Sequence, residues 1–510
     1  MAPITRSAGV VGTFAVWTRP SSSMRTTSVK VPPTSIPIRF KSVSSRWSPP
    51  PLRNGETFPQ RRQCPCPSPA GCVKGTPPDR GGMRRAVLAR AGHSTVAFAM
   101  DLRSHGASVG ALRDHNLALV LRRIIASPGS SRTEIAARIG LTDAAVSRIT
   151  RDLIEAGLVR EGKEVPGGPG QRGRRQVQLA PDGNGAAFVA VSLTISDRRV
   201  SIVDLAGRRR AEAALPLALP RQYPRLLDDV ATAVRGLLSR TRIARPRILG
   251  LAVATAGAVD QDSGRVAASS LSVLEGRSPS VDLSDRFRIP GIVETIGNTF
   301  GLAEAHRAMR DSGGDMAGPS LVIHVAFGLG VSVMLDGQPV RTGGDERTAG
   351  HVPVAGGMGR CVCGARGCLM TEAAGYGILR RLSGLAVDAP RQGWDEMRPE
   401  ALRDAVARAQ AREDSTVATM AAAGDLLGER LFDIASVLAP RRIMLGGPLS
   451  GAPSFVAGME QGLSRAHARV GTEPPPLRVS VIDYLQATEL LAIEEFALRR
   501  PLAFATETAA

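Results

Sequence analysis

The order of hydrophobic and polar positions divides the chain into three parts. Residues 1–108 show neither helical nor alternating periodicity and are rich in Ser, Pro and Arg, a composition typical of disordered sequence. Apolar residues recur at helical spacing between 109 and 185, and strand-like and helix-like segments alternate from 186 to 510. The pattern therefore predicts a tail, a small module rich in helices and a large α/β domain.

The small module, residues 109–185, has the pattern of a winged helix-turn-helix. Residues 115–126 place their apolar side chains on one helical face. Ser131 and Glu134 have the spacing of a capping box, in which hydroxyl and carboxylate satisfy backbone amides at the start of a second helix. Thr142 can cap a third helix, and two strands joined by a glycine-rich basic turn follow.

A winged helix-turn-helix binds DNA with its third helix in the major groove and its hairpin near the minor groove or its phosphates. The sequence therefore predicts three groups of DNA contacts. They are Ser131 and Arg132 at the second helix, Thr142, Asp143, Ala144, Ser147, Arg148 and Arg151 on the third, and Arg172, Arg174 and Arg175 in the hairpin turn. The alternative is a plain helical hairpin with solvated arginines, which the combination of caps, turn and basic hairpin disfavours.

The large domain, residues 186–510, predicts a bilobal α/β fold with a cleft between its lobes. Each lobe opens with a β-hairpin, the first near 186–207 and the second near 320–340, and continues with strand–helix units. Two buried strands end in glycines, one at Gly257 and one at Gly446 and Gly447. Folds of this type bind small molecules between their lobes.

The charge distribution agrees with this division. Residues 1–100 hold 15 Lys and Arg against two Asp and Glu, whereas residues 187–510 hold 37 against 35. Basic charge confined to the N-terminal part excludes a polycation that coats nucleic acid along its whole length, and it allows a DNA-binding module. The sequence contains no run of 18 apolar residues, which excludes a membrane-spanning helix there and predicts a cytoplasmic protein.

Three interpretations of residues 1–108 stay open. The segment is a disordered basic tail that contacts DNA phosphates, or the start has been assigned too far upstream, with Met83 or Met100 nearer the true one. A signal peptide is the least favoured, because the apolar stretch near residue 10 is short and no clear cleavage pattern follows.

The six cysteines fall into two groups of three, which favours metal chemistry in a reducing compartment over a disulfide framework. His351, Cys361, Cys363 and Cys368 provide one imidazole and three thiolates within 18 residues. This ligand set is typical of a structural zinc site, since no coordination position is left open for a substrate. Cys64, Cys66 and Cys72 lack a fourth ligand in a proline-rich tail, so we expect no metal there.

With these motifs in place, residues 112–500 resemble the ROK family of bacterial repressors and sugar kinases. The segments that carry the resemblance are the helix-turn-helix, GLAVATAGAVD, ETIGNTFGLAEA, TAGHVPV with CVCGARGCL, and RRIMLGGPL. The resemblance implies an actin-like ATPase (ribonuclease H-like) domain, a structural zinc ion, a homodimer or homotetramer, and a sugar or related small molecule as inducer. It implies ligand contacts from Gly257, Asn298 and His351.

Several positions depart from the kinases of this family. Ile296 stands where they carry the aspartate that deprotonates the sugar, and isoleucine cannot accept a proton. Further family positions for nucleotide and sugar binding are occupied here by Ser192, Ala256, Ser332, Thr348 and Met370. We therefore predict no catalytic residue and no enzyme activity.

The predicted function is that of a repressor that binds double-stranded operator DNA and whose sensor domain has lost kinase chemistry. The first alternative is an ATP-dependent sugar kinase with a fused DNA-binding domain. A second is a zinc-containing scaffold that binds a protein partner.

Overall fold

The computed structural model describes residues 109–165, 176–216, 222–311, 317–340, 349–361, 363–384 and 399–499. All of these belong to one compact unit, Asp79–Ala510. The predictions for the tail 1–108, for Arg172, Arg174 and Arg175, and for Thr348 lie outside the described residues.

The N-terminal module is a winged helix-turn-helix, as predicted. Its helices are α1 (Val109–Ala126), α2 (Arg132–Ile139) and α3 (Asp143–Glu155), and its antiparallel hairpin consists of β1 (Val159–Val165) and β2 (Gln176–Pro181). Ser131 and Glu134 form the reciprocal capping box of α2, which ends at Gly140 with a left-handed φ of 74°. The local sequence signals therefore set the limits of these helices.

The first lobe contains a five-stranded sheet. Its strands are β3 (Ala187–Leu193), β4 (Arg198–Asp204), β5 (Arg209–Ala214), β6 (Ile248–Thr255) and β9 (Gly291–Thr295), in the order β5-β4-β3-β6-β9. Between β6 and β9 a separate two-stranded sheet forms from β7 (Gly257–Asp260) and β8 (Arg265–Ser269). Helices α4 (Tyr223–Thr241), α5 (Pro279–Phe287) and α6 (Ile296–Asp311) connect or follow these strands.

The second lobe repeats this topology. Its strands are β10 (Pro319–Val325), β11 (Leu329–Leu335), β12 (Gln338–Pro339), β13 (Ile443–Gly446) and β14 (Leu477–Val479), in the order β12-β11-β10-β13-β14. In both lobes the first three strands pair antiparallel with one another in chain order. The fourth strand pairs in parallel with the first, and the fifth pairs in parallel with the fourth. The helices are α7 (Leu369–Ala373), α8 (Gly375–Leu382), α9 (Pro399–Gln410), α10 (Asp414–Leu438), α11 (Pro453–Ala468) and α12 (Tyr484–Ile493).

Three features differ from the sequence-based expectation. The hairpin that opens the first lobe has a third strand, β5, and β7 and β8 form a sheet of their own. The apolar pattern of residues 289–298 predicts a strand that reaches Asn298, but strand β9 ends at Thr295 and helix α6 begins at Ile296. The shift places Ile296, Gly297 and Asn298 in the first turn of a helix.

One hydrophobic cluster connects the N-terminal module with both lobes. It contains Leu117 and Leu121 of α1, Phe188 of β3, Val322 of β10 and Leu491 of α12, all fully or almost fully buried. Such continuous burial couples the module to the rest of the fold. None of the helices in the described ranges is both long enough and apolar enough to cross a bilayer.

Candidate DNA-binding surface, ligand cleft and metal cluster

Helix α3 presents a polar face to solvent. Val146, Ile149, Thr150 and Leu153 are buried against the module. On the opposite side Thr142, Asp143, Ala144, Arg148 and Arg151 are exposed, and Ser147 is half-buried. The Thr142 hydroxyl accepts a hydrogen bond from the Ala145 amide at 3.2 Å. The predicted contact residues of α3 therefore share one accessible face.

Arg148 and Arg151 have no hydrogen-bond or ion-pair partner among the described residues. Arg113 on α1, by contrast, donates to Asp152 at 2.8 Å. Two guanidinium groups without protein partners on a solvent-facing helix are suited to binding phosphate oxygens or base edges.

Two predicted contacts, Ser131 and Arg132, have internal partners instead. Ser131 is 4% exposed, and its hydroxyl and backbone amide are both hydrogen-bonded to Glu134. Arg132 donates to the Thr150 hydroxyl at 3.0 Å and to Glu161 at 2.6 Å. These bonds join α2, α3 and β1, so both residues stabilise the module.

The candidate ligand cleft begins where the parallel strands β6 and β9 end side by side, with Thr255 paired to Thr295. Ligands in α/β folds bind at such carboxyl ends. Gly257 follows β6 with a φ of 130°, and a Cβ there would lie 1.9 Å from the Ala268 carbonyl oxygen. Only glycine therefore fits this position. Asn298 follows β9 and is buried in the first turn of α6.

Ile296 is 4% exposed and belongs to the same hydrophobic cluster as Phe300 and Met334. A packed apolar side chain thus occupies the position at which the resemblance to the kinases of the family implies a base. A carboxylate that the sequence analysis passed over lies two residues earlier. Glu294 is fully buried, and its Oε1 accepts hydrogen bonds from the Thr295 amide at 2.7 Å, from Gln261 at 2.9 Å and from Asn298 Nδ2 at 3.1 Å. Its only sequence signal was an acidic residue inside an otherwise apolar strand.

Glu294 sets the orientation of Asn298. Because Asn298 Nδ2 donates to Glu294 Oε1, this hydrogen bond fixes the rotational state of the amide group. A ligand that contacts Asn298 would meet a side chain that is already positioned.

Three other positions that depart from the kinase pattern, Ser192, Ser332 and Met370, are also filled by packed side chains. Ser192 is fully buried. A Cβ on Gly297 would lie 2.5 Å from Ser332 Oγ, and a Cβ on Gly328 would lie 3.1 Å from Met370 Cε. Ser332 therefore packs closely against the start of α6, and Met370 packs against the turn between β10 and β11.

The metal-ligating residues predicted from the sequence lie together. The candidate ligand atoms of His351, Cys361, Cys363 and Cys368 all lie within 4.8 Å of one another. Cys361 Sγ is 3.3 Å from His351 Nδ1, and Cys363 Sγ is 3.6 Å from Cys368 Sγ. In a tetrahedral zinc site with bonds of about 2.3 Å to sulfur and 2.0 Å to nitrogen, ligand atoms lie roughly 3.5–3.8 Å apart. The side chains present fit such an ion.

The residues around the cluster favour a metal site with no coordination position open to a substrate. Burial raises the pKa of the Cys361 thiol. At Cys363 burial alone would raise the pKa, but hydrogen bonds from the Ala365 amide and the neighbouring thiols together outweigh it and lower the pKa. The Glu372 carboxylate accepts hydrogen bonds from the amides of Met358 and Gly359, at 3.1 and 2.8 Å, and supports the loop from the side.

The architecture defines a class of protein: a winged helix-turn-helix followed by a bilobal actin-like domain with a closed cysteine–histidine cluster. The chain belongs to the ROK family, whose model matches residues 189–484. A model of the MarR family matches residues 118–168, which cover most of the helix-turn-helix and β1.

Several curated relatives are named as transcriptional regulators. The chain is 26% identical over 352 residues to the DNA-binding transcriptional dual regulator NagC of Escherichia coli (strain K12), a match that covers 68% of this chain and 83% of NagC. It is 24% identical over 348 residues to the transcriptional repressor Mlc of the same organism, with 68% and 84% covered.

The fold is found in a solved regulator. The crystal structure of a ROK family transcriptional regulator homologous to Escherichia coli Mlc matches with a TM-score of 0.58 and 20% identity, covering 78% of this chain and 99% of that one. Together with the curated relatives, this confirms the predicted fold class, and the relatives support the prediction of a regulator over that of a kinase.

We expect the Ile296→Asp variant to show no sugar-dependent ATP turnover, as in the wild type. A restored general base would supply on the order of 10²–10⁴-fold, but Ser192 and Met370 would remain at positions that bind nucleotide and sugar in the kinases. A buried carboxylate among apolar neighbours is also costly. A coupled assay of ATP consumption with hexoses and amino sugars measures this. Turnover by the variant clearly above the wild-type background would contradict our interpretation of the domain.

Proposed function

We propose that this protein is a transcriptional repressor that binds operator DNA through helix α3 and the β1–β2 wing. The observation that carries the proposal is the exposed face of α3, where Arg148 and Arg151 have no protein partner in the described part of the chain. Thr142, Asp143, Ala144 and Ser147 on this face are suited to base edges, and the two arginines to phosphates. Ser131 and Arg132 support the module from within.

We further propose that the protein acts as a homodimer on a pseudo-palindromic site. A single winged module reads only a few base pairs, and two modules related by a two-fold axis read half-sites about one or two helical turns apart. A protein that acts on chromosomal DNA works in the cytoplasm, and the three thiols of the cluster stay reduced there.

The sensor domain is proposed to bind a sugar or a related small molecule in the cleft beside β6 and β9. Gly257 lets the chain turn at the cleft, and Asn298, held by Glu294, offers a positioned polar group. Relatives named for N-acetylglucosamine and xylose make these two sugars the first to test. His351 is assigned to the metal cluster by its contact with Cys361.

The metal is proposed to be a structural Zn²⁺ held by His351, Cys361, Cys363 and Cys368. The fit of the four ligand atoms to a tetrahedral site supports this assignment. Such an ion would hold together the described residues 349–361 and 363–368, which precede α7.

The central experiment is selection of genomic DNA by the purified full-length protein, followed by sequencing of the bound fragments. We expect enrichment of one pseudo-palindromic motif, bound with an affinity at least on the order of 10³-fold above that for unrelated DNA. Complexes with the selected site are then titrated with N-acetylglucosamine and with xylose. Failure to enrich any sequence would refute the proposed function.

The wing provides a second test on the selected site. Replacing Arg174 and Arg175 with alanine should weaken binding and reduce the dependence of the affinity on salt, because each lost phosphate contact lowers the salt slope by about 0.9. Unchanged affinity and slope would show that the wing does not contact DNA.

A further inference from the structure

The N-terminal module meets the sensor domain at a buried carboxylate. Glu494 follows the last residue of α12, is 2% exposed, and begins a short π-helical segment, Glu494–Leu498. Its Oε1 accepts a hydrogen bond from Arg122 of α1, and its Oε2 lies 3.0 Å from His306 Nε2 of α6. One side chain thus connects three helices that are far apart in sequence.

The carboxylate is ionised at neutral pH. Burial by itself would raise its pKa, but the attraction of Arg122 and the hydrogen bond with His306 hold the pKa of Glu494 well below its usual range. A buried charge of this kind is strongly destabilised when a partner is removed. A movement of Arg122 therefore changes the energy of the contact between His306 and Glu494, and a movement of His306 changes the energy of the contact between Arg122 and Glu494.

Helix α6 connects this contact to the ligand cleft. It begins at Ile296, and Asn298 lies in its first turn. His306 follows eight residues later, about 12 Å farther along the axis at a rise of about 1.5 Å per residue. A displacement of the first turn by a ligand would be transmitted along the helix to His306.

The contact also has room to change. A cavity of about 60 Å³ lies beside it, lined by Arg122, His306, Asp336, Gln338 and Glu494 among others. A cavity of this size holds a water molecule. The side chains of the contact therefore have space beside them in which to move, which a two-state element requires.

We propose that Arg122, Glu494 and His306 form a coupling node, through which the state of α6 at the ligand cleft controls the DNA-binding module. The node acts on α1, the helix on which α2 and α3 pack. Coupling of this kind is reciprocal. If a ligand at α6 changes the affinity for DNA, then DNA binding must also change the state of α6. This inference rests on the proposed function as a DNA-binding regulator.

The reciprocal direction gives a test that needs no identified ligand. Amide hydrogen exchange of the full-length protein is measured with and without the selected operator DNA. In the wild type we expect DNA to slow exchange in residues 296–311 on the order of fivefold or more. In Arg122→Met we expect DNA to bind but to slow exchange in this helix by less than half the wild-type factor, because the link to Glu494 is cut while the apolar contacts of the module remain.

Arg113→Met is the matched control. Arg113 lies on the same helix, but its ion pair with Asp152 stays inside the module. This variant should keep the wild-type response of α6. If Arg122→Met lowers the melting temperature too far, exchange of all variants is compared at a lower temperature at which Arg122→Met stays folded.

The outcomes separate the two proposals. If the wild type binds no selected DNA, the proposed function fails. If it binds DNA while α6 does not respond, or if α6 responds equally in Arg122→Met, the function stands and the coupling node is refuted. A role of the three residues in stability alone would lower the melting temperature in the variant and leave the response of α6 intact.

Discussion

Replacing Cys363 with serine is expected to abolish binding of the proposed zinc ion and to lower the melting temperature by roughly 5 °C or more. Structural zinc contributes directly to folding, and at about 2.1 cal/mol/K of unfolding entropy per residue a domain of roughly 300 residues loses about 1.5 °C per kcal/mol, so a loss of several kcal/mol gives a shift of this order. Cys363 is exposed, unlike Cys361 and Cys368. Serine at this position leaves no cavity in the core, and the loss can be attributed to the metal.

Elemental analysis and thermal unfolding of protein purified without chelator check this expectation. We expect one zinc ion per chain in the wild type and less than one in Cys363→Ser. Cys66→Ser is the control, since the tail cysteines lack a fourth ligand and should leave both zinc content and melting temperature unchanged. Wild-type protein without zinc, or a Cys363→Ser variant that keeps it, would refute the assignment.

The second large effect is expected from substitutions in helix α3, which should lower the affinity for operator DNA. Replacing Arg148 and Arg151 together with alanine should reduce operator affinity on the order of 10²-fold or more, since a dimer would lose up to four phosphate contacts. Because both side chains are exposed and have no protein partners in the described ranges, the melting temperature should change little. Titration of labelled operator DNA at several salt concentrations measures the affinity and the slope.

A matched variant separates local contact from overall charge. Arg235 and Arg240 lie exposed on α4 of the sensor domain, and their replacement by alanine removes the same charge at a distance from α3. We expect this variant to keep nearly the wild-type affinity. An equal loss in both double variants would mean that only net charge matters, and α3 would no longer be the recognition helix.

Much of the fold could be predicted from local sequence. The capping box of Ser131 and Glu134 and the left-handed position of Gly140 set the limits of α2, because caps act within one helical turn. The four metal-ligating residues lie within 18 positions, so that their spacing alone predicted the cluster that the structure shows. Ile296 excluded a general base by its chemistry, whatever its surroundings.

Other features depend on contacts between residues far apart in the chain. Ser131 and Arg132 looked like DNA contacts, but Glu134, Thr150 and Glu161 occupy their hydrogen-bonding groups. Glu294 was not recognised, because only the folded sheet brings Gln261 to its carboxylate.

The sequence by itself determined the modules, the helix caps, the candidate metal-binding set and the lack of a proton-accepting side chain at position 296, because each depends on side-chain identity or on neighbours within a few residues. The tertiary structure decided which arginines are available to DNA and which acidic groups are buried. It also decided that Arg122 and His306, 184 positions apart, share Glu494. Availability and burial depend on packing between distant segments, and no local pattern records that packing.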